Sequence, residues 1–270
     1  MAEYKGVLRK MFTAHNDETN EVSYQLNLDN NAVCDMNELV GQEVRLSFSG
    51  DIHCVSCGCK VRGKTYAGGY CYPCFSSKPE TDLCIMSPDK CHYHLGTCRD
   101  SAWGEKNCFT EHVLYLARSS SIKVGITRGS QVPTRWMDQG AVEALFLGRF
   151  PDRKQVGDAE KVISAEMSDK TNWRKMLKNE VVKDDFGIYK MTARMMLNAE
   201  QQKSLVDEAK IYQFKYPVLA YPEKVKSFKL DKTPFFQKKL MGIKGQYLIF
   251  EDGDVINLRS HGGYVLTLEA

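Results

Sequence analysis

The sequence predicts an α+β protein built from several units. A cysteine-rich region held by metal and a small α/β core are flanked by β-rich ends, expected to pair with each other as one β-barrel. Three observations carry this prediction. Two Cys-x2-Cys pairs stand thirteen residues apart, at Cys54/Cys57 and Cys71/Cys74. Both ends of the chain alternate apolar and polar residues, the period of a strand with one wet face. The middle runs strand, turn, strand, helix, strand, helix.

Taken in order, residues 1–50 form the first segment. "EVSYQLNL" alternates, and "GQEVRLSFSG" does the same between two glycines. Residues 51–112 are rich in Cys, His, Gly and Pro with little periodicity, so they cannot build an apolar core alone and call for a metal. Residues 113–216 are the α/β core with trailing helices. "HVLYLA" and "SIKVGIT" read as strands around a serine-rich turn, and Pro133 suits the first turn of a helix over "PTRWMDQGA". "ALFLGRF" is a third strand. "GDAEKVISAEMS" follows as a helix with Asp158 as its N-cap. "DKTNWRKMLKN" is a helix capped by Asp169 or Thr171, and "NAEQQKSLVDEAKIYQF" a longer one whose Asn-x-x-Gln start resembles a capping box. Residues 217–270 return to β-structure, with a hairpin turning at Asp252-Gly253 and a last strand in "GGYVLTLE".

Composition sets the outer bounds. The chain has 270 residues, 43% apolar and 26% charged, which is ordinary for a globular protein and far from disorder. No apolar run approaches the roughly 20 residues that span a bilayer. The start of the chain, MAEYKGVLRKMF, has no apolar signal-peptide core. The expectation is a cytoplasmic protein without membrane partners; nothing in the sequence fixes its oligomeric state. A net charge of +3 is too mild to imply nucleic acid by itself, although seven lysines fall between Lys224 and Lys244.

Nine of the ten cysteines lie between Cys54 and Cys108. In a reducing compartment clustered cysteines are metal ligands or redox groups. Each Cys-x2-Cys sits in a turn that lets two thiolates face one ion, and two such turns complete a closed tetrahedral zinc site at Cys54, Cys57, Cys71 and Cys74. A thioredoxin-like redox pair would place its Cys-x2-Cys at the head of a helix; Gly58 and Gly69 suit knuckle turns better. Cys59 is an extra thiol that can replace Cys57. A second set, Cys84, Cys91, Cys98 and Cys108, lies among His92, His94 and His112 at long, irregular spacings. It reads either as the four ligands of a second structural zinc, where a histidine can replace one thiol, or as thiols packing a loop-rich region.

"VLYLARSSSIKVGIT", "RWMDQGA" and "AEKVISAEM" together resemble the core of the GIY-YIG nucleases, whose element order is the one read above. The resemblance covers about 70 residues and implies phosphodiester hydrolysis. It matches Tyr115 to the tyrosine ending the family's first strand and Lys123-Val124-Gly125 to its second-strand motif. Arg135 matches an arginine of the first helix, Glu160 a glutamate opening the helix after the third strand, and Asn172 a downstream polar residue. Lys123 stands where the family has a second tyrosine. Such chemistry needs a carboxylate-held divalent ion, a cation for the phosphate and a group that orients water. Glu160 would hold Mg²⁺ or Mn²⁺, Arg135 and Lys123 would contact phosphate, and Tyr115 would orient the water. Each residue also has a structural reading: a half-buried strand tyrosine, an arginine paired with Asp138, a first-turn glutamate. Over nearly its whole length the chain resembles more closely an uncharacterised bacterial family of unknown function, through "GTCRDSAWGE", "KVGITR", "PTRWMDQGA", "TNWRKML" and "GIKGQYLIF".

Nucleic acid, DNA or RNA, is the expected partner. Lys60, Arg62 and Lys64 lie between the cysteine pairs, where knuckles often offer cations to phosphates. Gln139 follows Arg135 by four residues, on the same helix face. Lys238 and Lys239 lie in a run that interleaves lysines with Phe228, Phe235 and Phe236, fit either for phosphate contact and base stacking or for a strand with one wet face. The alternative to a nuclease is a non-catalytic zinc module that binds nucleic acid or protein.

Overall fold

The structure, a computed structural model, describes residues 2–167 and 170–270. The chain divides into two compact units, and the division runs through the cysteine-rich stretch. One unit holds the chain up to Phe75, Leu177–Asn179 and Phe214–Ala270; the other holds Ser76–Met176 and Glu180–Gln213. The division does not follow the bounds of the four expected segments, and the two cysteine sets fall in different units.

The first unit begins with β1 (Glu3–Val7), β2 (Phe12–His15), β3 (Val22–Leu28), β4 (Asn31–Asp35) and β5 (Glu43–Ile52), followed by α1 (Tyr72–Ser77). In β3 the expected alternation is visible: Val22, Tyr24 and Leu26 are buried while Ser23 and Gln25 are exposed. The chain leaves for the second unit and returns with β10 (Lys226–Ser227), β11 (Phe235–Lys244), β12 (Tyr247–Phe250), β13 (Asp254–Asn257) and β14 (Tyr264–Glu269). The two ends do pair. β1 runs antiparallel to β14, and β14 and β11 flank β5. They form an open sheet of seven strands in the order β1-β14-β5-β11-β12-β13-β10, beside a three-stranded sheet β2-β3-β4. The expected barrel is therefore corrected to an open sheet among the described residues: β1 and β10, at its edges, do not pair with each other. The hairpin at Asp252-Gly253 is as foreseen, with both residues at positive φ (60° and 78°), the backbone that a tight hairpin turn requires.

The second unit contains α2 (Leu83–Met86), α3 (Ser101–Cys108), β6 (His112–Arg118), β7 (Ile122–Arg128), α4 (Thr134–Asp138), β8 (Glu143–Phe150), α5 (Arg153–Ile163), α6 (Trp173–Leu177), α7 (Phe186–Met196), α8 (Ala199–Gln202) and β9 (Tyr212–Gln213). Its antiparallel sheet has the order β7-β6-β8-β9, so β6 is central and every one of its residues is buried. Alternation sorts its side chains to two faces. Leu114 and Leu116 join Val156, Ala159 and Ile163 of α5 and Phe186 and Ala193 of α7 in one apolar core. On the other face Tyr115 meets Trp136, whose indole is fully buried among Tyr115, Phe146 and Tyr212 at ring-centre distances of 5.8, 5.2 and 5.2 Å.

Three helix expectations are corrected. The N-cap of α5 is Asp152, which accepts from the Gln155 amide at 2.9 Å; Asp158 lies inside the helix, paired with Lys154 at 2.7 Å. The Asn198/Gln201 capping box is present, but α8 stops at Gln202. Beyond it β8 captures the chain: the Arg149 amide donates to Ser204 O and the Val206 amide to Leu147 O. Strand pairing overrides the helical pattern of residues 203–214. Helix α7, capped by Asp185, is an element the sequence reading does not contain. Asp169 lies outside the described residues; Asn172, not Thr171, accepts from the Lys175 amide at the start of α6. No helix among the described residues is long and apolar enough to cross a membrane.

Candidate functional site

Two constellations stand out, one in each unit. In the first, Cys54, Cys57, Cys71 and Cys74 offer sulfurs that all lie within 4.8 Å of one another. Cys57 and Cys71 sulfurs are 3.8 Å apart, which is the separation of two thiolates each bound at ~2.3 Å to one tetrahedral zinc. Local geometry builds this. The Gly58 amide donates to Cys54 O and the Cys54 amide to Cys59 O, closing the first turn. Gly58 takes φ +74°, and Gly69 takes φ +129° where a Cβ would stand 2.4 Å from Val55 Cγ1, so both positions require glycine. Amides of Ser56 and Cys71 donate to Cys54 Sγ at 3.4 and 3.2 Å. Burial opposes ionisation of Cys54, but backbone N–H groups outweigh it and bring the thiol down to about 6. Burial, then Cys71, push Cys74 up to about 12. Four thiols this close ionise together only around a cation. The cluster fits a closed structural zinc site, and Cys59, exposed, stands outside the group of four.

In the second unit, Cys84, Cys91, Cys98 and Cys108 line one small cavity. The three ligand atoms gathered within 4.8 Å there belong to Asp82, Cys84 and His92 instead of to four thiols. His94 does not line the cavity, and His112 is fully buried in β6 with its Nδ1 bonded to Thr110 O at 2.7 Å.

The other constellation is a groove of about 330 Å³ in the second unit, lined by Tyr115, Lys123, Arg135, Gln139 and Glu160 together with Arg153 and Lys170. β6 supplies Tyr115, β7 Lys123, α4 Arg135, and α5 Arg153 and Glu160; Gln139 follows α4 directly. Tyr115 is opposite Gly125 in the antiparallel register. A Cβ on Gly125 would lie 2.7 Å from the Tyr115 hydroxyl, so the glycine lets the phenol lie across the edge strand β7. The hydroxyl donates to Gln139 Oε1 at 3.1 Å. Burial raises the Tyr115 pKa above its usual value, opposed by the Arg135 guanidinium beside it; Glu160 adds to the rise. The phenol is therefore a proton donor at neutral pH, not a base.

Lys123 is only 4% exposed, and among the described residues the groove walls hold four cations against one carboxylate, Glu160. Such a cleft selects anions. Arg153 escapes sequence reasoning. It precedes Glu160 by seven residues, which puts both on one face of α5, and that spacing could have found it. Its Nη2 donates to Ile85 O at 2.6 Å, and burial holds its pKa below the usual arginine value. Asn172 does not line the groove.

The remaining predicted contacts lie in the first unit, except Gln139. Arg62 and Lys64 are exposed, with the Lys64 ammonium 5.1 Å from the Tyr66 ring centre. Lys60 pairs with Asp51 at 2.6 Å. Lys239 is exposed, but Lys238 is held between Asp252 and Asp254 at 3.1 and 2.7 Å, so its charge is already compensated.

A family described as "Protein of unknown function (DUF2797)" matches residues 41–266, and the chain belongs to it. No curated protein and no solved structure matches the chain.

Proposed function

We propose that this protein binds nucleic acid, is stabilised by zinc at Cys54, Cys57, Cys71 and Cys74, and hydrolyses phosphodiesters in the groove of its α/β unit. One observation carries the reading. Tyr115, Lys123, Arg135, Gln139 and Glu160, scattered over 46 positions of sequence, line a single cationic groove. The order strand, turn, strand, helix, strand, helix is that of β6, β7, α4, β8 and α5, which supports the resemblance to GIY-YIG nucleases.

The roles follow from position and charge. Arg135, Lys123 and Arg153 take the phosphate oxygens, where guanidinium and ammonium groups in a partly dry cleft stabilise the charge that develops on the transferring phosphorus centre. Tyr115, protonated and fixed by Gln139, orients the attacking water or the phosphate through its hydroxyl. Among the described residues Glu160 is the carboxylate of the groove that would hold Mg²⁺ or Mn²⁺; such an ion, when bound, lowers the pKa of its water and neutralises phosphate charge. Arg62, Lys64 and Lys239 serve as exposed phosphate contacts outside the groove, and the protein works in the reducing cytoplasm, where its thiols stay free for metal.

A second reading, binding without hydrolysis, is favoured by Lys123 where the resembled family has a tyrosine and by the single carboxylate. One experiment separates the two. Zinc-loaded protein is incubated with single- and double-stranded DNA and RNA in Mg²⁺ or Mn²⁺, beside Glu160→Gln and Arg135→Ala. Hydrolysis predicts metal-dependent cleavage, lost at least 100-fold in both variants. Binding alone predicts salt-dependent retention of nucleic acid with no cleavage by any chain. No retention at low salt defeats both.

A further inference from the structure

The second unit contains a set of ligand groups that the groove does not use. Cys84, Cys91, Cys98, Cys108, His92 and Asp82 line one cavity of about 20 Å³. That is room for a single water-sized sphere, hence for one ion and not for an iron–sulfur cluster. Asp82, Cys84 and His92 already offer ligand atoms within 4.8 Å of one another.

The hydrogen bonds around His92 orient it for a cation. The Thr97 hydroxyl donates to His92 O at 3.2 Å, so its oxygen accepts from His92 Nδ1 at 2.8 Å. His92 Nε2 then faces Asp82 Oδ2, 3.5 Å away. A nitrogen, a carboxylate oxygen and a sulfur thus face one another, with the Arg99 guanidinium also at Asp82 Oδ2. Asp82 is itself fixed, accepting from the Leu83 amide at 2.6 Å and pairing with Arg99 at 3.0 Å. An outer shell of this kind orients first ligands.

A second, independent observation points the same way. From Ser76 to Cys108 the chain forms only short helical pieces, and its buried residues are Pro79, Asp82, Pro88 and Gly104. A stretch of 33 residues with no apolar core of its own needs a cross-link to hold one shape.

We propose that this cavity is a second zinc site. Asp82, Cys84 and His92 supply three ligands, and a thiol of the cavity wall supplies the fourth. Sulfur and imidazole donors select zinc over the oxygen-seeking Mg²⁺ and Ca²⁺. The ion anchors the segment that carries Ile85, a residue shared by the cavity and the groove, so its role is structural. The inference does not rest on the hydrolytic reading of that groove.

The test is zinc content of the full chain after saturation with Zn²⁺ and desalting. The wild-type chain is expected to carry two zinc ions, Cys71→Ser one, Cys84→Ser one, and His92→Cys two, the thiolate replacing the imidazole. One zinc in the wild-type chain overturns the proposal whatever the variants do, so a variant that fails to fold does not shield it. Two zinc ions retained by a folded Cys84→Ser chain, or bound iron with sulfide in the wild type, also overturn it.

Discussion

The four-cysteine cluster and the groove reach the same end, several polar side chains at one point, by opposite routes. Cys54, Cys57, Cys71 and Cys74 come from 21 consecutive positions: the first pair sits in a glycine-dependent turn, and the second brackets the start of α1, with Cys74 inside the helix. Tyr115, Lys123, Arg135, Arg153 and Glu160 come from two strands and two helices, and only sheet register and helix packing bring them together. A site made by turns is readable as spacing. A site made by packing is readable only as a set of separate candidates.

The two sites should therefore fail differently. The largest expected effect is at the knuckle. Cys71→Ser removes one of the four proposed zinc ligands, and since structural zinc contributes on the order of 10 kcal/mol to small metal-held folds, a loss of several kcal/mol is expected. Chelator should lower the melting temperature of the wild-type first unit and leave Cys71→Ser nearly unchanged. A Cys71→Ser chain that melts like wild type in the presence of zinc would break the contrast.

The units also bury cations differently. Arg118 in the second unit donates to Val182 O and Asp184 O at 2.8 and 2.6 Å and pairs with Glu143 at 3.0 Å. Arg118→Met leaves those groups unpartnered and should cost about 3–5 kcal/mol in denaturant unfolding. Lys244 in the first unit is fully buried between the Tyr216 and Tyr221 rings, with Asn179 Oδ1 2.8 Å from its Nζ. Burial pushes it down to about 7. The unfolded lysine, near 10.5, binds its proton more tightly than the native one. Stability therefore rises as pH increases from about 7 towards 10.5, and the cost of burying the charge is greatest below pH 7. Lys244→Met should flatten that slope and stabilise the chain most at pH 6, by about 1–3 kcal/mol. Unfolding curves at pH 6 and pH 9 measure it; an unchanged slope would refute the buried-charge account.

Within the groove the expected effects are smaller and more local. Gly125→Ala places a methyl 2.7 Å from the Tyr115 hydroxyl and should cost about 1–3 kcal/mol, with the phenol displaced from Gln139. Gln139→Leu removes the acceptor of the Tyr115 hydroxyl and should cost about 1 kcal/mol. Both should leave zinc content untouched, and either one changing it would show that the two sites are coupled.

The sequence alone determined what short-range chemistry decides. The Cys-x2-Cys spacing, the alternation in β3, the Asp252-Gly253 turn and the Asn198/Gln201 capping box are each specified within a few residues, and each is found. The central order of strands and helices was legible for the same reason. Tertiary structure decided what depends on partners far along the chain. It opened the terminal sheet instead of closing a barrel, because β1 and β10 lie at opposite edges with no strand to join them. It ended α8 at Gln202, because the β8 backbone offered residues 204–206 hydrogen bonds that continued helix could not match. It enlisted Arg153, and it spent the charge of Lys238 on Asp252 and Asp254. Spacing fixes which groups a turn can bring together; only the packed chain fixes which charges remain for a ligand, because compensation and burial are set by neighbours that sequence distance does not reveal.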